Sequence, residues 1–477
     1  MRAGRFAGVA ALAAVLASLA GSAAEARPRH RFHHHLQHHW HQRPAHPAAA
    51  SEAAWPQVSE DRQRADVERL VAFGTRHTLS SDSDPVRGIG AARRWAEGQF
   101  SAIGKTCGDC LQIVLPEQIV SGNRLPAPTK IVDVVAIQQG AARRDEVVII
   151  QAHIDSRNSD VMDPVKDAPG ANDDGSGVAL VLEAARVMSQ RKFAGTVVYA
   201  ILSGEEQGLY GGKLLAAFAA QQHWRVKAVL NNDIVGNSAG SDGTVDRTHV
   251  RVFSEGPRGN GDMSLAGAQR REGGENDSPS RNLSRYLSAL QTSANAKLAV
   301  RPVWRADRVG RGGDHLPFEE AGLPAVRVSV AVENYDAQHQ TPRRENGVVY
   351  GDTVDRMDFP YLGAVTRFNI RAAAALADAP MPPSAAQNVA VQTFSDLAWT
   401  PSPGAVAYRV WKRRTDAAVW EPVPVLRTEG THAHLEGLRG DDWFLGVSAV
   451  AASGAESPVA SALPGGGFDP SSIPPKP

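Results

Sequence analysis

The sequence predicts an α/β fold, in which a mixed, mostly parallel sheet is flanked by helices and followed by a small C-terminal β-sandwich. Val147-Val148-Ile149-Ile150 and Thr196-Val197-Val198-Tyr199-Ala200-Ile201-Leu202 are short, β-branched apolar runs of the kind buried on both faces of a sheet. Between them, Ser176 to Gln190 (SGVALVLEAARVMSQ) repeats its apolar residues at helical spacing, so the two strands are joined by a crossover and run parallel. Beyond the linker Ala379-Pro380-Met381-Pro382-Pro383, short apolar segments alternate with turn-rich pieces, which is the pattern of a sandwich.

At 477 residues and 42% hydrophobic content the chain is long enough for more than one domain and for a large core. Its 51 basic and 51 acidic residues balance, and no clustered basic face marks a nucleic-acid partner. Met1 to Ala26 places Arg2 and Arg5 before an alanine-rich apolar run that ends in small residues, the pattern of a cleaved secretory signal. No other segment is long and apolar enough to span a bilayer, so export to the periplasm or the extracellular space is expected. Residues 27–60 form a linker whose first part carries His30, His33, His34, His35, His38, His39, His41 and His46 among Arg, Pro and Ala. That composition predicts disorder, with loose metal capture and a solvated spacer as its two readings.

From Asp61 the pattern becomes globular. DRQRADVERLVAF and AARRWAEGQFSAI read as helices, and Lys130 to Ala136 reads as a strand. Cys107 and Cys110, the only two cysteines, are expected to form a structural disulfide in an exported protein. Val226 to Asp233 is a further strand ending in an acid, and Pro324 to Val330 another. Ser280 to Leu290 and Phe359 to Ala377 are helical, the last covering the sheet. The expected organisation is a main domain over residues 61–379, the sandwich over 384–464 and a tail over 465–477.

Chemistry gathers where the strands end. His153 and Asp155 follow the first apolar run, Asn172-Asp173-Asp174-Gly175-Ser176-Gly177 opens the helix, and Glu205-Glu206 follows the second run after Ser203-Gly204. Sites in open α/β sheets form at the carboxyl ends of strands. Taken singly these pieces are weak, since NDDGSG could be a helix cap and Glu205-Glu206 a solvated pair. Their shared sheet edge argues for a metal site, in which histidines and acids hold the ion and a carboxylate can bridge two ions. His153-x-Asp155 suits a ring nitrogen on the metal with the acid orienting the ring from behind.

The succession H-x-D, GANDDGSG, SGEEQGLYG, an Asp after a strand and a late His with Thr close behind resembles the co-catalytic zinc aminopeptidases. These share a superfamily with glutamate carboxypeptidase and the transferrin receptor ectodomain. The resemblance covers about Asp61 to Ala377 and implies the zinc exopeptidase fold, peptide substrates and two Zn2+ per chain. Carried over by position, it implies His153 and Asp233 on one zinc, Glu206 and His339 on the other, and Asp173 as the bridge. Glu205 is then the general base, Asp155 the partner of His153, and the Asp173–Asp174 peptide is expected to be cis. Several relatives have Tyr where Gln338 stands, so Tyr335, Tyr350, His315 and Gln338 are all candidate oxyanion donors. His315 in GRGGDHLPF is also a rival ligand, or else a histidine fixed by Asp314.

Removal of N-terminal residues from peptides is the leading expectation. Carboxypeptidase action stays open through Arg308, Arg311, Arg343 and Arg344, while a glutaminyl cyclase with one zinc and a silent receptor-like relative fit the complete ligand set less well. Residues 384–464 resemble a fibronectin type III domain, on Trp399 with Tyr408-Arg409-Val410 and on WFLGVSAV before SGAESP, with Trp443 where a corner tyrosine is usual. Contact with a surface or polymer is the partner this second domain suggests.

Overall fold

The computed structural model describes residues 57–477, so the signal segment and the histidine-rich stretch lie outside the described residues. The main domain opens with helices α1 (Glu60–Val71) and α2 (Gly88–Thr106), then strands β1 (Leu111–Val114), β2 (Glu117–Gly122), β3 (Leu125–Val132), β4 (Val134–Gln138) and β5 (Arg143–His153). It continues through α3 (Gly175–Met188), β6 (Gly195–Leu202), α4 (Glu205–Gly208), α5 (Tyr210–Gln221), β7 (Arg225–Asn232) and β8 (His249–Phe253). Next come α6 (Met263–Glu272), α7 (Pro279–Ser293), β9 (Ala299–Val303), α8 (Leu316–Glu320), β10 (Ala325–Val330), the hairpin β11 (Arg343–Glu345) and β12 (Val348–Tyr350), and α9 (Phe359–Asp378).

The large sheet has eight strands in the order β1-β4-β6-β5-β7-β10-β8-β9. Its centre, β6-β5-β7-β10, is parallel, and β4 and β8 join it antiparallel. Alternate residues of the central strands feed two cores, as the period of two along a strand requires. Val148, Ile150, Val197, Tyr199 and Ile201 pack beneath α1, α2, α3 and α9, whereas Val147, Ile149, Val198, Ala200 and Leu202 pack with α5 residues Leu215 and Ala219. Apolar residues are needed on both faces, which is why these strands read as continuous runs.

The expected strand over Lys130–Ala136 is two strands. Asp133 separates them: its N–H donates to Pro116 O at 3.0 Å and its buried carboxylate accepts the Ser203 N–H at 3.0 Å. A side chain that must bind the end of β6 cannot continue the pleat, and the chain passes there from the β2–β3 hairpin into the large sheet. Cys107 and Cys110 form a disulfide.

The C-terminal part consists of β13 (Ala385–Asn388), β14 (Phe394–Trp399), β15 (Ala405–Arg414), β16 (Leu426–Thr428), β17 (His432–Glu436), β18 (Trp443–Ala451) and β19 (Ala460–Ser461). Two antiparallel sheets, β13-β14-β17 and β16-β15-β18-β19, share a core of Leu397, Trp399, Tyr408, Val410, Leu445 and Val447. Trp443 is half-buried and lies under the Lys412 ammonium, 4.2 Å from its centroid. The sandwich docks on α7 and the turn before it: Arg285 of α7 donates to Ala418 O at 2.7 Å, and Arg413 makes two 2.7 Å bonds to Asp277, both of the latter side chains being almost fully buried. Ser461 adds a bond to Asp277 at 2.9 Å. Among the described residues no helix is long and apolar enough to cross a membrane.

Candidate metal centre

Parallel β5, β6 and β7 lie side by side, so their carboxyl ends deliver His153, the Glu205-Glu206 pair and Asp233 to one edge. The NDDGSG turn crosses that edge, and each polar side chain fixes part of it. Asp174 caps α3 by accepting the Gly177 N–H at 3.0 Å, and it also takes the Ile234 N–H at 3.2 Å. Asn172 accepts the Gly236 N–H at 2.8 Å and Ser176 the Val235 N–H at 3.0 Å. Gly177 is required by crowding, since a Cβ there would lie 2.4 Å from both Asn232 O and Asp174 Oδ2. Capping and metal-site chemistry therefore coexist in this motif: Asp174 turns to the backbone and Asp173 to the site. The Asp173–Asp174 peptide is cis.

Among the described residues, two groups of side chains could each hold a cation: His153, Asp173 and Asp233, and Asp173, Glu206 and His339. Asp173 belongs to both, with Oδ1 3.3 Å from His153 Nε2 and Oδ2 2.9 Å from His339 Nε2. Glu206 Oε1 is 3.0 Å from His339 Nε2, and Asp233 Oδ1 is 3.9 Å from His153 Nε2. The donor set suits zinc, being two imidazole nitrogens with carboxylate oxygens. His153 Nε2 and Glu206 Oε1 are buried and make no hydrogen bond, which is costly unless something else satisfies them. On both counts the residues fit the metal.

The flanking groups hold this arrangement. Asp155 is fully buried and accepts the Glu205 N–H on Oδ1 at 3.2 Å and the Glu206 N–H on Oδ2 at 3.1 Å, with Thr78 at 2.8 Å. The nearer partner of His153 Nδ1 is the Asp155 carbonyl at 3.0 Å, while the carboxylate stands at 3.5 Å. The side chain expected to orient the ring thus does so mainly through its own backbone, and its carboxylate positions the two glutamates. Arg327, fully buried on β10, binds Asp233 Oδ2, and Arg157 binds Glu206 Oε2 at 2.9 Å. Each arginine occupies one carboxylate oxygen and leaves the other facing the site.

Electrostatics follow from burial among acids. Burial works against a charged His153, but Glu205, Asp155, Asp173 and Asp174 outweigh it and raise the ring well above its ordinary range. His339 rises to about 9, burial again opposing and Glu206 and Asp173 prevailing. Burial would raise Asp173, yet His339 and His153 hold it well below the usual carboxylate range. Glu205, half-exposed at the site, is pushed well up by loss of solvent and by Glu206, Asp233 and Asp314, against the pull of His153. Glu205 is therefore the more basic carboxylate of the Glu205-Glu206 pair.

His315 lies in neither group. Its Nε2 is 2.8 Å from Ala306 O and 3.8 Å from Asp307 Oδ2, so it is fixed to its loop through the Ala306 carbonyl rather than by Asp314, which instead accepts the Gly212 N–H at 3.1 Å. Tyr335 is exposed, and Tyr350 lies beneath the Arg343 guanidinium. Gln338 donates to Asp173 Oδ2 at 3.1 Å. Sequence reasoning missed Arg157, Arg76 and Asp352. Arg76, fully buried, donates to the carbonyls of Ile154, Leu70, Pro169 and Gly170. Asp352 accepts the Asn172 N–H on both oxygens at 3.0 Å and the Asp173 N–H at 2.7 Å.

A family model described as Peptidase family M28 matches residues 133–375, the span that carries these ligand groups. The chain belongs to peptidase family M28. It is 40% identical to a probable zinc metalloprotease of Pyricularia oryzae, over 88% of this chain and 85% of that protein. A probable zinc metalloprotease of Leptosphaeria maculans is 36% identical over 89% and 99% of the two chains. This M28 peptidase is accordingly a zinc metallopeptidase. Among solved structures it is similar to the Legionella pneumophila LapA aminopeptidase, with TM-score 0.47 and 19% identity over 66% of this chain and 71% of that one. The Porphyromonas gingivalis glutaminyl cyclase aligns with TM-score 0.45 and 17% identity over 66% and 98%.

Proposed function

We propose that this M28 peptidase is an exported aminopeptidase that holds two zinc ions per chain. The observation that carries the reading is Asp173, whose two oxygens face two different histidines at 3.3 and 2.9 Å. In this reading His153 and Asp233 hold one ion, Glu206 and His339 hold the other, and Asp173 joins them. Bound zinc would lower the pKa of water and polarise the scissile carbonyl. Glu205 takes the proton of the attacking water on its carboxylate and returns it to the departing amine. Its backbone is fixed for this by Asp155. Gln338, whose amide reaches Asp173 at 3.1 Å, is the candidate donor to the developing negative oxygen that contacts a member of the centre.

Pairing of the nearby cations supports aminopeptidase over carboxypeptidase action. Of the four arginines that keep carboxypeptidase action open, Arg308 is bound by Asp307 at 2.9 Å, Arg311 by Glu333 at 3.1 Å and Arg343 by Glu345 at 2.9 Å, whereas the exposed Arg344 is not paired with an acid. Cations already neutralised by acids are poor receptors for a substrate carboxylate. Export is supported by the leader-like residues 1–26, and the sandwich is read as a fibronectin type III domain that mediates surface or polymer contact. The test combines zinc stoichiometry with hydrolysis of free-amine, N-blocked and C-blocked peptides. Cleavage should require the free amine and tolerate the blocked carboxyl. Cleavage of N-blocked but not C-blocked peptides would replace this reading with carboxypeptidase.

A further inference from the structure

A cavity of about 590 Å³ opens where the loop after β8 meets the loop after β9, with Glu255, Glu275, Arg281, Trp304 and Arg305 in its lining. It lies away from the metal centre. β8 runs antiparallel to β10, with Phe253 opposite Arg327 and Val250 opposite Val330, so the chain leaves β8 on the side where β10 begins, whereas the ligands stand where the parallel strands end. Its volume is in the range of small-molecule sites, and the hydrolytic reaction does not use it.

The charges of this cavity are unmatched. Glu255 is 7% exposed; its Oε2 accepts the Gly259 N–H at 2.7 Å, and its Oε1 is left for the cavity. Loss of solvent raises this carboxyl to about 7 against the pull of that N–H, Arg258 and Arg281, as expected of a buried acid with no cation in contact. Arg305 is exposed and commits only its Nε, to the Asp307 carbonyl at 3.2 Å, so its Nη groups are free. Arg281 is held by Ser254 at 3.1 and 2.9 Å and by Asn276, and lies 4.5 Å over the Trp304 ring. It stiffens the apolar wall. Among the described residues none of Glu255, Glu275, Arg281 and Arg305 forms a salt bridge, so two acids and two arginines share one cavity without pairing.

We propose that this cavity binds a free α-amino acid with an apolar side chain, its ammonium on Glu255 Oε1, its carboxylate on the Arg305 Nη groups and its side chain against Trp304. The occupant must carry both charges. A simple anion would leave Glu255 buried without a counter-ion, which is costly, and a simple cation would leave the Arg305 fork unused. Because the two acids and two arginines of the lining balance, a molecule of no net charge leaves the cavity neutral. Trp304 is 39% exposed and offers a flat apolar surface for a hydrocarbon side chain to cover.

The test is calorimetric titration of the full-length, zinc-loaded protein with L-phenylalanine, with 3-phenylpropionate, which lacks the ammonium, and with 2-phenylethylamine, which lacks the carboxylate. Phenylalanine should bind, and each analogue should bind at least about tenfold more weakly, the worth of one hydrogen-bonded charged contact. Glu255→Gln and Arg305→Gln should each weaken phenylalanine by about tenfold and leave peptide hydrolysis unchanged. An amino acid seated at the metal centre instead would be blind to both substitutions, so unchanged affinity in either variant would overturn the site. No binding to wild type at about 10 mM, or analogues that bind as tightly as phenylalanine, would overturn it too. Arg305 is exposed, and its replacement decides if Glu255→Gln does not fold. None of these outcomes alters the reading of the metal centre.

Discussion

Asp352 is the side chain whose removal should test how the site's backbone is held. Its carboxylate is the acceptor for the N–H groups of Asn172 and Asp173, and both residues are buried. Asp352→Ala leaves these two donors without a partner. At about 1–3 kcal/mol for each unsatisfied buried group, the gross loss is about 2–6 kcal/mol. Some of it is offset, because burial together with Asp173 raises the Asp352 carboxyl to about 7 against the pull of those same N–H groups, so removing the acid also removes a poorly solvated charge. A net loss of about 2–4 kcal/mol is expected. Asp352→Asn keeps one oxygen for the shorter bond to Asp173 and should lose about 1–2 kcal/mol. The assay is denaturant unfolding of metal-free protein, followed by zinc competition on the same variants. The order alanine worse than asparagine worse than wild type is required. Equal stability of all three within about 0.5 kcal/mol would refute the assignment of Asp352 as the support of the Asn172-Asp173 turn.

Three further outcomes are expected. Glu205→Gln should keep its zinc and lose about 10²–10⁴ in kcat, the usual worth of a general base; near wild-type turnover in a metal-loaded variant would contradict the base assignment. Arg413→Met removes both 2.7 Å bonds to the buried Asp277 carboxylate and leaves it Ser461 at 2.9 Å and Arg285 at 3.6 Å, so it should cost about 2–3 kcal/mol in denaturant unfolding, against well under 1 kcal/mol for a surface pair. Burial lowers Lys227 from its ordinary 10.5 to about 8, with Glu146 pulling the other way. The folded chain then binds fewer protons than the unfolded chain between those values, so this group makes stability rise with pH across that window. Lys227→Met should flatten that rise, and an unchanged slope would count against it.

Strands buried on both faces write continuous apolar runs, and that is why β5, β6 and β7 and the residues at their ends were legible. The break at Asp133 was not, because its cause is a hydrogen bond to Ser203, 70 positions further on. His339 was reached through family resemblance, since nothing local separates a loop histidine that faces a site from one that does not, as His315 illustrates. Asp352 and Arg157 act on partners 180 and 182 residues away. Arg157 stands only two positions after Asp155, yet its contacts with Glu206 and His339 exist only in the folded chain, and Asp352 sits in a segment that reads like any other loop. His153, Glu206 and Asp233 were visible in the sequence because they crowd at the ends of neighbouring strands, whereas Asp352, which holds the Asn172-Asp173 turn, comes from a distant loop.

Asp155 grips the main-chain N–H of two consecutive residues with its two oxygens. Because the grip is on backbone, it is indifferent to which side chains stand at positions 205 and 206. Replacements there change the chemical group while the mount beneath stays in place, so their kinetics report on chemistry rather than on misplacement. Asp155 itself offers no such separation: one substitution would loosen both neighbours at once, and its effect could not be divided between them.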